Sequence, residues 1–181
     1  MNKNKYFHVT LRTNGDMFNT KAMRYAFLNI WRTYIPNHLQ TCTFALITDR
    51  FECILVTSNT NELNSMQLNT QIAELFSKNC NPIFDKAQIA ELSQSILVES
   101  LYSEKDMVYR AFDMHTMPQR LGFTTDYRTY PFSSYKSLTG ANSSALAKQN
   151  VWNWFGGRLR FTAFHQAYAG WLKSPYYDIA S

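Results

Sequence analysis

Short runs rich in β-branched and aromatic residues alternate with segments whose apolar residues recur every three or four positions. This alternation restricts the fold more than any other feature of the chain. Residues 6–12 (YFHVTLR) predict a strand. Beyond it Met23, Phe27, Ile30, Trp31 and Tyr34 fall on one helical face, and Pro36 marks the helix end. Residues 42–48 and 51–57 predict a hairpin or two closely connected strands joined through Asp49 and Arg50. A second helix is expected over 61–78, with Leu63, Met66, Ile72, Leu75 and Phe76 inward and Pro82 ending it. Residues 95–102 predict a further strand, and Ser103 opens the next helix through a capping box with Asp106. That helix turns Met107, Val108, Ala111 and Phe112 toward the core and stops near Pro118. Two short helices, over 145–155 and 158–172, close the chain. The order β-α-β-β-α-β followed by helices defines an α+β fold, an antiparallel sheet with helices packed on it.

At 181 residues the chain has room for one domain with a small appendage, read here as residues 1–126 and an extension over 127–181. A hydrophobic fraction of 45% excludes a wholly disordered chain. No apolar run approaches the roughly 20 residues of a membrane helix, and the opening MNKNKYFHVT lacks the apolar stretch of a signal peptide. Cys42, Cys53 and Cys80 are odd in number and lack CxxC spacing, which argues against a disulfide framework or zinc knuckle and for a reducing, cytoplasmic setting. Cys42 and Cys53 read as small core residues on strands. The four histidines are never at ligand spacing, so neither a metal nor another cofactor is expected. His8, His115 and His165 read as packed structural histidines.

The net charge of +5 divides unevenly: residues 1–48 carry +5, residues 49–126 carry −5 and residues 127–181 carry +5. Residues 127–177 hold six basic residues, no acidic ones and thirteen aromatics, Trp152, Trp154 and Trp171 among them. Cations neutralise phosphates while aromatic faces stack unpaired bases, so this stretch is the candidate for binding nucleic acid. Its candidate contacts are Arg128, Tyr135, Lys136, Lys148, Arg158 and Arg160. Arg158 and Arg160 fall at an expected helix start, where free N–H groups add to phosphate attraction. Gly156-Gly157 lacks the spacing of a nucleotide-binding loop and reads as a turn.

Three C-terminal stretches carry a family resemblance. Met114-His115-Thr116-Met117-Pro118, with Gly122 beyond it, resembles the I-H-x-N-P…G pattern of the REP-associated tyrosine transposases, relatives of the single-tyrosine HUH transposases. Tyr130-Pro131-Phe132-Ser133-Ser134-Tyr135 is similar to their Y-P-W-S-S-Y segment, the most specific of the matches. Trp154-Phe155-Gly156-Gly157, then Phe161 and His165, resembles the W-F-G-G…F…H ending of many members, and residues 6–12 are similar to the opening Y-H-V-T-x-R strand. The resemblance implies a ferredoxin-like, HUH-type sheet with a helical C-terminal extension, acting on DNA, often as a dimer. It also adds Arg12 to the candidate contacts, at a position near nucleic acid in the family.

The same resemblance implies a site that has lost its chemistry. In the family two histidines flanking a hydrophobic residue on a central strand hold a divalent metal, and a helix tyrosine attacks a DNA phosphate. The matching triplet by position is Arg50-Phe51-Glu52, without a histidine. Glu52 offers oxygen to a hard cation, but Arg50 beside it repels one. The family's Y-T-x-x-F-N segment falls on Cys80-Asn81-Pro82-Ile83-Phe84-Asp85, with Cys80 in the tyrosine's place. The expectation is a catalytically inactive relative that binds hairpin or single-stranded DNA, with RNA as an alternative, as a homodimer. Two other readings stay open: an active strand transferase with Tyr102 or Tyr109 as relocated nucleophile, and a dimeric interaction protein whose basic ends meet an acidic protein.

Overall fold

In the computed structural model, which describes residues 4–57 and 63–169, the β-rich runs form one antiparallel sheet. Its strands are β1 (Lys5–Arg12), β2 (Leu39–Leu46), β3 (Arg50–Thr57) and β4 (Ile96–Leu101), in the order β2-β3-β1-β4. α1 (Lys21–Tyr34) carries the chain from β1 to β2, and α2 (Ser65–Asn79) with α3 (Lys86–Gln94) carries it from β3 to β4. Each crossover passes over one strand, so the arrangement is ferredoxin-like.

The register sorts side chains onto two faces. Val9 is opposite Cys53 and Val98, and Leu11 is opposite Phe51 and Ile96. Because successive residues point to opposite sides, these residues with Phe7 and Leu55 make one apolar face. α1 and α2 close over it through a chain of rings: Trp31 to Phe51 at 4.9 Å, Phe27 to Phe51 at 5.2 Å and Phe27 to Phe76 at 5.7 Å. On the reverse face lie His8, Thr43, Glu52 and Ile54, covered by α4 (Glu104–Arg120), which buries Met107, Ala111, Met114 and His115.

After α4 the chain returns along β2. Leu46 donates its N–H to the Phe132 carbonyl (2.9 Å), Ser134 to the Phe44 carbonyl (2.9 Å) and Ala147 to the Thr41 carbonyl (2.9 Å). The outer edge of β2 is thereby occupied. Three helices follow from this return: α5 (Tyr135–Thr139), α6 (Lys148–Trp154) and α7 (Arg158–Ala169). Gly156 (φ 74°) and Gly157 (φ 124°) make the turn between the last two in backbone conformations that L side chains rarely adopt. A Cβ on Gly156 would stand 3.0 Å from the Arg160 side chain.

Several expectations need correction. Tyr34, at the last turn of α1, is 52% exposed, and Met66 is 80% exposed because α2 starts at Ser65, placing Leu63 in the core ahead of the helix. α3 was not anticipated; Asp85 and Gln88 form its capping box, and Ile89 and Leu92 are buried. Ser103 caps α4 by accepting from the Asp106 N–H (3.0 Å), but the Asp106 carboxylate accepts from the Ser103 hydroxyl (2.7 Å) instead of reaching the backbone. α4 runs past Pro118 to Arg120, with the proline inside its last turn. α5 was also not anticipated. Trp171 and the helix end expected at 172 lie outside the described residues.

Candidate nucleic-acid interface

Arg50 and Glu52 share the face covered by α4, two residues apart on β3, with Phe51 turned into the opposite core. They form a row of charges. His8 Nε2 lies 3.3 Å from Glu52 Oε2, Arg50 Nη1 donates to Glu52 Oε1 (3.5 Å) and touches Met117 Sδ (3.7 Å), and Arg12 lies opposite Arg50 across the strands. Arg110 of α4 contacts His8 Nδ1 (2.5 Å) and ion-pairs with Glu99 (2.9 Å). A guanidinium has only donors, so His8 Nδ1 accepts and its Nε2–H points at Glu52. Burial acts to raise the Glu52 pKa; the His8 hydrogen bond and the nearby Arg50 and Arg12 outweigh it and hold the carboxyl below its usual range. The residues do not fit the divalent metal of the resembled family: the one carboxylate in the triplet is engaged by His8 and Arg50, and the flanking group is a cation. Among the described residues no three His, Cys, Asp or Glu side chains are placed to hold a metal ion.

Cys80 does not join this row. It follows α2, on the sheet face to which Phe51 points, and is buried, with its thiol pKa pushed up to about 12 by burial. Cys42 and Cys53 are buried too. Tyr102 is 91% exposed just past β4. Leu101 pairs with Tyr6 whereas Arg50 pairs with Arg12, which separates Tyr102 from Arg50 by about 20 Å at 3.3 Å per strand residue. Tyr109 is on the solvent side of α4, its ring under the Lys105 ammonium at 5.9 Å.

The candidate contacts fall into three groups. Arg12, Lys136 and Arg160 are exposed, Arg12 at the end of β1 and the others on α5 and α7. Lys148 and Arg158 hold a loop between them: Lys148 Nζ donates to the Asn142 carbonyl (2.7 Å), and Arg158 Nη2 donates to the Thr139 carbonyl (2.5 Å) with its guanidinium 5.7 Å from the Trp152 ring. Arg128 is exposed and forks onto the Asp126 carboxylate (2.7 and 2.8 Å). Tyr135 is a core residue, its ring packed on Tyr127 (5.1 Å), His165 (5.1 Å) and His115 (5.5 Å), so Lys136 alone of that pair faces outward.

Sequence reasoning missed a buried chain of polar groups. His165 Nδ1 donates to the Phe161 carbonyl (2.9 Å), which leaves His165 Nε2 to accept from His115 Nδ1 (3.0 Å). His115 Nε2 then accepts from the Thr43 or Ser134 hydroxyl, at 2.8 and 2.9 Å. Burial lowers both histidine pKa values, that of His165 to about 4. His115 and His165 stand fifty positions apart, so no local pattern signals the contact; only their shared place in the resembled motifs hints at it. The chain ties β2, α4, the return segment and α7 together.

No protein-family model matches the chain, and no curated protein does. Among solved structures it is similar to a REP-associated tyrosine transposase bound to a REP hairpin, with a TM-score of 0.50 and 16% identity over 75% of this chain and 78% of that one. The likeness is one of fold: a four-stranded antiparallel sheet with helices on both faces. No described helix is long and apolar enough to cross a membrane.

Proposed function

We propose that the chain binds hairpin or single-stranded nucleic acid without cutting it. The observation that carries the reading is the fold shared with a transposase seen on a REP hairpin. The exposed cations of the C-terminal region supply the electrostatics such a partner needs, with Lys136, Arg158 and Arg160 as the proposed contacts and Arg12 at the sheet's end. Phosphate neutralisation by these groups makes affinity fall steeply with salt.

Two placements weigh against strand cleavage. The triplet at the family's metal position holds an Arg50–Glu52 ion pair with the His8 ring hydrogen-bonded to Glu52, and neither Tyr102 nor Tyr109 stands beside it. Fluorescence anisotropy on a DNA hairpin tests the reading. Binding is expected at ~50 mM salt, weakened several-fold at ~200 mM and by Arg158→Ala or Lys136→Ala. No binding to DNA or RNA hairpins at low salt would refute it. A covalent protein–DNA adduct formed with Mn²⁺ and lost in Tyr102→Phe or Tyr109→Phe would favour the enzyme reading instead.

A further inference from the structure

α4, the end of α6 and α7 meet around a cavity of about 490 Å³, within the range of small-ligand sites, about 300–1,000 Å³. None of the residues lining it belongs to the charge row on β3 or to the loop held by Lys148 and Arg158. Val108 comes from α4, Trp154 and Phe155 from the end of α6, and Phe164 from α7. Phe155 and Phe164 meet edge to face at 5.4 Å. Ala163 and Ala167 are one turn apart on α7 and both exposed. Neither has a side chain beyond Cβ, so on that face α7 leaves the cavity open.

The polar chemistry of the lining is one-sided. No carboxylate, amide or hydroxyl side chain borders the cavity. Its polar side-chain groups are the Arg160 guanidinium and the Trp154 indole N–H, and both only donate. The Trp154 Nε1–H is enclosed without an acceptor among the described residues. Arg160 lies back over the turn at Gly156, where a Cβ would stand 3.0 Å from its Nη1, and it spends no donor on another described residue. A fitting ligand therefore has an apolar body and a polar end that accepts without donating. A carboxylate is such an end, and it matches the planar fork of a guanidinium with two parallel hydrogen bonds. One cation balances one negative charge, which favours a monoanion over a phosphoryl dianion. Rings in the lining favour a flat aromatic body, because edge-to-face ring pairs add to the gain from burial. An ammonium brings further donors and a like charge, and finds no acceptor among these side chains.

We propose that this cavity binds a small aromatic monocarboxylate, its rings against Trp154, Phe155 and Phe164 and its carboxylate on Arg160. The site stands independently of the nucleic-acid reading. Arg160 serves in both, so the ligand is titrated with no nucleic acid present.

The test titrates three probes of one shape, naphthoate, naphthalenemethanol and naphthylmethylamine, by isothermal calorimetry. Each is run against wild type, Arg160→Gln and Ala167→Trp, both variants changing exposed positions and checked for an unchanged melting temperature by circular dichroism. Wild type is expected to bind naphthoate about tenfold tighter than the alcohol, and the amine least well. Arg160→Gln is expected to lose the preference for the acid and keep the affinity for the alcohol. Ala167→Trp fills the cavity and is expected to lose both. Equal wild-type affinity for acid and amine, binding of none of the three, or binding indifferent to Ala167→Trp overturns the site. A wild-type dimer in light scattering that Ala167→Trp disperses would seat a second copy there and overturn the small-ligand assignment. Failure of hairpin binding leaves this site standing.

Discussion

Acid should unfold this protein through its buried histidine pair. His115 and His165 are both enclosed, and their three hydrogen-bonded neighbours at Thr43, Ser134 and Phe161 carry no charge to offset a proton. The pKa of His165 moves from 6.5 to about 4 because burial penalises the imidazolium. With the folded value depressed, stability is complete above about pH 6.5 and drains away as the pH falls through about 4. The shift is worth about 3 kcal/mol over that whole range, and about 2 kcal/mol of it is gone by pH 5. His115 shifts in the same direction and steepens the loss. Urea unfolding followed by circular dichroism at several pH values from 7 to 5 measures the effect. Glu52 does not confuse this window: its lowered pKa makes its contribution fail only at more acid pH. His165→Gln should be less stable at neutral pH, because the Phe161 carbonyl loses its donor, yet should show a shallower pH dependence. A wild-type loss under about 0.5 kcal/mol between pH 7 and 5, or an unchanged slope in His165→Gln, would refute the reasoning.

The row on the reverse sheet face gives a second prediction. Glu52→Gln keeps the shape but leaves Arg50 and Arg12 facing each other across the strands without their carboxylate. It should cost about 2 kcal/mol in urea unfolding at neutral pH, below the roughly 3–5 kcal/mol of a fully buried pair because Arg50 is partly exposed. The cysteines give a third. With all three thiols buried, and Cys80 raised to about 12, the folded protein should resist a thiol-reactive disulfide reagent at neutral pH and label fully only on denaturation. Rapid labelling of any thiol in the native protein would contradict that burial.

Local chemistry made the sheet and the longer helices readable. Val9, Phe51 and Cys53 sit in runs dense with strand formers, and Phe27, Ile30 and Trp31 repeat at helical spacing before a proline. α3 escaped because a nine-residue helix burying only Ile89 and Leu92 shows little periodicity. At the candidate site, the Arg50–Phe51–Glu52 alternation was legible since strand geometry alone places the outer two on one face. What those side chains touch was not, because His8 and Arg110 come from 44 residues before Glu52 and 58 residues after it. Tyr135 looked like a surface contact beside Lys136, and only the meeting of α5 with α7 shows its ring enclosed. A cavity of about 780 Å³ is the extreme case: residues of α1 and residues more than a hundred positions later are brought together in its lining by the returning chain.

That return has one more effect. By filling the outer edge of β2 it leaves β4 as the strand with an unpaired flank among the described residues. A sheet that can be extended on one side only can pair once. Two copies joining β4 to β4 would consume both free flanks and stop, whereas a sheet open on two sides can add copies without limit. Among the described residues, strand addition to this sheet has one flank to use, and two copies would exhaust it.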